Sequence, residues 1–200
     1  MNRRIVLASN NRGKLAELQS LLSDTDIEFV PQGVHDVPEA AETGLTFVEN
    51  AIIKARNASR FTGLPAIADD SGIEVDHLDG EPGIRSARYA GENATDEDNL
   101  HKLLRKLDGV AAPARRARFR CEIVWLRHEY DPSPVICSGT WVGCVATEPR
   151  GENGFGYDPV FLFAGGEQTT AELDPASKNS RSHRGQALAK LVKVLREEPF

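Results

Sequence analysis

The sequence is poor in cysteine and has no long apolar run. Among 200 residues there are three cysteines, Cys121, Cys137 and Cys144, and no Cys-x-x-Cys spacing. An odd, sparse count of this kind reads as reduced thiols and argues against a disulfide-stapled fold. Five histidines are scattered at 35, 77, 101, 128 and 183, with no His-Glu-x-x-His pattern, so no zinc site is expected. Any metal should be a hard cation held by carboxylates and substrate phosphates. The run Ile5–Ala8 behind the basic start is too short for a signal peptide or a membrane span, which places the protein in the cytoplasm. Positive charge is also in deficit, with 24 Lys+Arg against 30 Asp+Glu and a net charge of −6. That balance excludes a nucleic-acid coat and an anionic-membrane binder. It leaves room for a small anionic substrate met by a local group of Lys and Arg.

What is present is ordinary globular composition, 40% apolar and 27% charged, without repeats or linkers, so one domain, or two lobes sharing a sheet, is the default. Residues Arg4–Ala8 read as a buried strand, broken by Asn10, Asn11 and Gly13. A helix bearing Leu15, Leu18, Leu21 and Leu22 follows, then a strand over Asp26–Pro31 and an acidic loop from Asp36 to Gly44. Thr46 and Glu49 make a capping box for a helix running to about Phe61, whose polar face carries Asn50, Lys54 and Asn57. The spacing predicts a short strand Ala66–Ala68, a turn at Asp69–Gly72, and a second hairpin arm over Ile73–Asp76. Thr95–Leu107 is helical, and Ala117–Leu126 and Val135–Val145 read as an antiparallel pair around the loop Glu129–Pro134. A strand over Val160–Phe163 and a last helix with Leu188, Leu191, Val192 and Leu195 complete an α/β mixed sheet. Trp125 and Trp141 are assigned to the core rather than to an interface.

Five constellations carry chemistry. Ser9-Asn-Asn-Arg-Gly-Lys14 joins a strand to a helix N-terminus, where free N–H groups and the dipole favour an anion, although a plain turn fits too. Lys54 sits mid-helix among small apolar residues, as a snorkelling surface lysine or as part of a site with Glu42. Asp69-Asp70-Ser71-Gly72 puts two carboxylates at a predicted bend, suited to a metal or acid–base site or to an Asx turn. In a straight strand the two would face opposite ways, so the turn is what should let them converge. Gly154-Phe-Gly-Tyr-Asp158-Pro exposes an aromatic ring for stacking on a flat base. Lys178 to Arg184 adds cations and hydroxyls at a helix start, or simply a basic segment in water. Together these are the parts a nucleoside triphosphate requires.

Six motifs occur in order: Ser-Asn-Asn-Arg-Gly-Lys, Glu-Thr-Gly-x-Thr-Phe-x-Glu-Asn-Ala, Ala-Asp-Asp-Ser-Gly, Pro-Gly-Ile-x-Ser-Ala-Arg-Tyr, Gly-Phe-Gly-Tyr-Asp-Pro and Ser-His-Arg-Gly. With them the chain resembles the inosine/xanthosine triphosphate pyrophosphatase family, from Arg4 to about Leu195. The resemblance implies a long, curved mixed sheet with flanking helices, one domain over residues 1–200 with two lobes around a central cleft. It implies a cytoplasmic, Mg²⁺-dependent homodimer that hydrolyses ITP, dITP and XTP to the monophosphate and pyrophosphate. It assigns Ser9, Asn10, Asn11, Arg12, Gly13 and Lys14 to the triphosphate. Asp70 is implied as general base and metal ligand, Glu42 as second metal ligand, with Asp69 and Lys54 assisting and Ser71 touching substrate. Phe155, Gly156, Tyr157, Asp158, Lys178, His183 and Arg184 are implied to enclose the base. The alternatives are a pyrophosphatase of the same architecture acting on modified pyrimidines and a non-catalytic nucleotide-binding module. An RNA-binding role is disfavoured by the charge.

Overall fold

The computed structural model describes residues 3–23 and 27–197, without the side chains of Arg3, Arg12, Leu21 and Leu22. In chain order the elements are β1 (Arg3–Leu7), α1 (Arg12–Leu22), β2 (Ile27–Pro31), α2 (Phe47–Thr62), β3 (Ala66–Val75) and α3 (Asp96–Lys106). They continue with β4 (Arg116–Leu126), β5 (Val135–Val145), β6 (Phe161–Phe163), α4 (Pro175–Arg181) and α5 (His183–Glu197). The six strands form a sheet in the order β2-β1-β3-β4-β5-β6. β1 pairs parallel with β2 and β3, and β5 pairs antiparallel with β6, so the sheet is mixed as expected. Among the described residues no helix is long and apolar enough to cross a membrane. The three cysteines are free.

Two compact units divide the chain. The first comprises Met1–Asp70, Cys121–Gly139 and Arg184–Phe200; the second comprises Ser71–Arg120 and Thr140–His183. The period-2 alternation of strands organises the first unit. Ile5 and Leu7 of β1 and Ile67 of β3 pack with Leu18 of α1, Trp125, and Leu188, Leu191 and Leu195 of α5. Val6, Ala8, Ala66 and Ala68 face the other way, onto Ala51, Ala55 and Ala58 of α2. The small residues of α2 let helix and strands approach closely. Both its ends are satisfied: Thr46 and Glu49 form the expected capping box, and Gly63 closes the C-terminus in the left-handed region. In the second unit, Ile73, Val75, Leu100, Leu103, Leu107, Phe119, Trp141 and Phe161 form a separate core. Trp125 and Trp141 are thus both buried, as assigned.

Two sequence-based expectations are corrected. The predicted hairpin across Asp69–Gly72 does not exist; Ala66–Val75 is one unbroken ten-residue strand. The acidic pair fails to break it because cations neutralise both carboxylates, and two neighbouring strands hold the backbone. The segment before the last helix is not an open basic stretch but a helix of its own, α4, capped by Asp174. Its sequence, PASKNSR, has no apolar periodicity to betray it. The other predicted elements stand within a residue or two, and Asp26, the expected start of β2, lies outside the described residues.

The β4–β5 connection is fixed by one carboxylate. Buried Asp131 accepts hydrogen bonds from the Arg127 backbone N at 3.0 Å, Nε at 2.8 Å and Nη2 at 2.7 Å, and from Ser133 N at 3.0 Å. Those bonds from Arg127 outweigh burial and hold the Asp131 carboxyl well below the usual carboxylate range. A depressed folded-state pKa stabilises above the unfolded value, about 3.9, and the contribution is lost as pH falls below it. Asp131→Asn is therefore expected to cost about 2 kcal/mol near neutral pH. In urea titrations the gap between parent and variant should be constant above about pH 5 and begin to narrow as pH is lowered below about 4; a gap independent of pH would contradict this account.

Candidate active site

Strand parity decides where the two consecutive carboxylates go. Asp69 shares its side of β3 with Ile67, the side covered by α1 and α5. Asp70 shares its side with Ala66 and Ala68, the side covered by α2. They do not converge through a turn; each meets its own cations. Asp69 Oδ2 lies 3.1 Å from Lys14 Nζ and 3.2 Å from Arg184 Nη2. Burial works against this carboxylate, but Lys14, Arg184 and Lys54 outweigh it and hold its pKa well below the usual range. Asp70 Oδ1 lies 2.6 Å from Lys54 Nζ, and Glu42 Oε1 lies 3.1 Å from the same ammonium. Burial raises the Asp70 pKa against the pull of Lys54 and Lys14. Burial also opposes the Lys54 ammonium, but Asp70, Asp69 and Glu42 overcome it and raise its pKa. Lys54 is thus not a snorkelling surface residue; its side chain is 16% exposed and serves two carboxylates.

The loop after β1 behaves as a helix start. Asn11 is the N-cap of α1 and accepts from Lys14 N at 3.0 Å. Ser9 Oγ accepts from Asn11 N at 3.2 Å, and Asn10 Nδ2 donates to Glu39 Oε1 at 3.3 Å. Arg12 and Gly13 open the helix; the Arg12 side chain lies outside the described residues. Ser71 follows Asp70 along β3 and is half-buried. One participant that the motifs did not single out is Glu17, which pairs with Arg184. Its spacing of three from Lys14, on one face of α1, is the signal that could have found it.

The second unit assembles a different cluster. Asp158 Oδ2 accepts from Lys178 Nζ at 2.7 Å and from Phe155 N at 2.9 Å, while Oδ1 accepts from Thr170 Oγ1 at 2.8 Å. The Lys178 ammonium stands 5.1 Å from the centre of the half-buried Phe155 ring. Gly156 N donates to Asp96 Oδ2 at 2.8 Å. Tyr157 turns inward, its hydroxyl donating to Ser86 O at 2.9 Å. His183 stacks on Phe119 with ring centres 4.7 Å apart. Of the predicted base-enclosing residues, Phe155, Asp158 and Lys178 are brought into mutual contact, whereas Arg184 is held on Asp69 and Glu17.

Glu42 and Asp70 fit a hard divalent cation. Both offer oxygen, both already share one cationic group, and Asp70 Oδ2 is buried without a hydrogen-bond partner. Among the described residues no group of three or more His, Cys, Asp or Glu could hold a metal unaided. Two carboxylates supplemented by substrate phosphates and water is the way Mg²⁺ is commonly bound.

The chain is similar to known proteins over nearly its whole length. A protein of Vibrio cholerae named dITP/XTP pyrophosphatase is 55% identical over 98% of both chains. One of the same name from Methylococcus capsulatus is 58% identical over 98% of both. The solved structure of a HAM1 protein from Coxiella burnetii superposes with a TM-score of 0.92 at 54% identity, covering 99% of this chain and all of that one, 100%. The Ham1 family model matches residues 5–194, and the chain is a member of the Ham1 family.

Proposed function

We propose that this chain is a Mg²⁺-dependent nucleoside triphosphate pyrophosphatase that removes ITP, dITP and XTP from the nucleotide pool. The observation that carries the reading is Asp70, buried against Lys54, sharing that ammonium with Glu42 and keeping one oxygen unpartnered. The name that the relatives carry, dITP/XTP pyrophosphatase, supports two of these three substrates.

The reaction breaks the bond between the α and β phosphates and adds water, giving monophosphate and pyrophosphate. Lys14 and the amide groups at the start of α1 receive phosphate charge, since a helix N-terminus favours anions. Glu42 and Asp70 would hold Mg²⁺, which supplies charge neutralisation on the phosphates. Asp70 orients the attacking water and takes its proton, a task suited to a carboxylate whose pKa burial has raised. Lys54 holds Asp70 and Glu42 in register and adds positive charge beside them. Asp69 fixes Lys14 and Arg184. Ser9, Asn10, Asn11 and Ser71 line the phosphate end, and Arg12 and Gly13 open the helix that receives it. In the second unit Phe155 offers a stacking face, and Lys178, held by Asp158, donates to a 6-oxo group. Hypoxanthine and xanthine carry that acceptor, where adenine presents an amino donor. Gly156, Tyr157 and His183 shape this base-binding end. A homodimer in the cytoplasm, as the resemblance implies, completes the proposal.

Asp70→Asn should lower turnover of ITP at least about 100-fold while leaving the thermal midpoint nearly unchanged. Pyrophosphate should be the product in the parent enzyme, and turnover should stop on chelation and return with Mg²⁺. Full activity in the variant, or orthophosphate as first product, would sink the assignment. Lys178→Met should narrow the preference for ITP over ATP by about tenfold to a hundredfold, read as the ratio of kcat/KM values. An unchanged ratio would remove Lys178 from base selection.

A further inference from the structure

Asn50 belongs to the motif that contains Glu42, yet nothing in the reaction uses it. It closes the first turn of α2, fully buried at 0% exposure, on the helix face that also carries Lys54 and Asn57. A polar side chain in such a place is costly unless it is bonded. Its Oδ1 accepts from Gly44 N at 2.9 Å, but its Nδ2 is buried with no partner. The amide is therefore retained although half of its hydrogen-bonding capacity is wasted. A locally unfavourable choice of this kind marks a residue kept for a purpose other than stability.

That purpose is legible in the loop it grips. Gly44 has no room for a side chain: a Cβ would lie 2.6 Å from Glu49 Cβ, 2.8 Å from Asn50 Oδ1 and 3.0 Å from Asn50 N. The loop is pressed onto α2 at this point. The next two amides, Leu45 N and Thr46 N, are each bonded to Glu49 Oε2 at 2.8 Å. Further back, Asn57 Nδ2 donates to Pro38 O at 2.7 Å. Glu42 stands two residues before Gly44, with its carboxylate on Lys54, one helical turn beyond Asn50. Helix and loop thus close a small circuit, from Asn50 to Gly44, Glu42, Lys54 and back along α2.

We propose that Asn50 is a positioning residue for Glu42: by holding the Gly44 amide it presents the Glu42 carboxylate beside Asp70 in the orientation a divalent cation needs. The inference rests on the reading of Glu42 as a metal ligand. Partners that orient a ligand typically change metal affinity by tenfold to a hundredfold.

The test uses the full chain with Mn²⁺ as the metal probe, measured by electron paramagnetic resonance without substrate. Asn50→Ala should weaken Mn²⁺ binding about tenfold and speed amide hydrogen exchange across residues 42–46. In turnover the Mg²⁺ concentration for half-maximal rate should rise by a similar factor, with KM for ITP at saturating metal changed less than about twofold. A purely structural asparagine would lower the melting temperature and leave the metal dependence alone. Glu42→Gln combined with Asn50→Ala should bind Mn²⁺ no more weakly than Glu42→Gln by itself, because both act through one carboxylate. Should Asn50→Ala not fold, Gly44→Ala disturbs the same contact from the half-buried loop and takes the same readings. Additive losses in the double variant, or unchanged exchange over 42–46, would overturn the proposal. If Glu42→Gln weakens Mn²⁺ binding and Asn50→Ala does not, this inference alone fails. If Glu42→Gln leaves binding unchanged, Glu42 is no ligand, and the inference falls with that reading.

Discussion

Two ionised carboxylates next to each other in a buried strand cannot remain unmatched. Moving a charge out of water costs several kcal/mol unless paired and hydrogen-bonded partners offset it. Asp69 and Asp70 are 2% and 7% exposed, and strand geometry sends them to opposite sides of the sheet. Each side must therefore bring its own cations, which is why several elements of the first unit end on this pair. α1 supplies Lys14, α5 supplies Arg184, α2 supplies Lys54, and the loop before α2 returns a carboxylate, Glu42, to that lysine. Hydrophobic burial on both sides of β1 and β3 sets where the helices lie, and the acidic pair sets which cations they must carry beside it.

The same pairing changes the meaning of the net charge. A surplus of acidic residues over basic ones reads as hostile to a polyanionic ligand. Locally, Lys14, Lys54 and Arg184 are gathered against Glu17, Glu42, Asp69 and Asp70, three cations among four carboxylates. Such a cluster is close to neutral and already oriented. A triphosphate with its metal ion would exchange partners within it rather than meet an empty basic patch. Preorganised charge of this kind requires little rearrangement when the transition state develops, which is the main source of catalysis in phosphoryl chemistry.

How far all this could be read beforehand depended on whether the cause was local. The capping box at Thr46, the apolar stripe of α5 and the long β4 and β5 strands are written in spacings of two to seven residues, and they stand as read. Local spacing suggests a hairpin at Asp69–Gly72 because the residues that neutralise Asp69, Lys14 and Arg184, lie 55 and 115 positions away along the chain. By local rules Asp-Asp-Ser-Gly is a turn. Only long-range pairing makes it a strand. α4 escaped for the opposite reason: its one inward polar anchor, Lys178, is buried by pairing with Asp158, so no apolar pattern marks the helix. For Glu17 the spacing of three from Lys14 is a weak local signal, and its role becomes plain only with Arg184 placed opposite it.

The second unit shows the same logic at smaller scale, and it explains a glycine. Asp158 is 3% exposed and must be satisfied on both oxygens, so Thr170, Lys178 and the Phe155 amide all converge on it. For the chain to bring the Phe155 amide onto that carboxylate, residue 154 takes a φ of +81° and lies where a Cβ would run into the Asp158 side chain. Only glycine meets both conditions, the positive φ and the missing side chain. The flexible-looking Gly-Phe-Gly motif is therefore a rigid device. It fixes an aromatic ring beside a lysine whose orientation a buried carboxylate has already set. A lysine ammonium on a flexible stem loses rotamer entropy when it binds a ligand; one already immobilised has lost it during folding. A donor prepared in this way can distinguish an oxygen from an amino group by pairing alone, because the wrong partner leaves two buried donors facing each other.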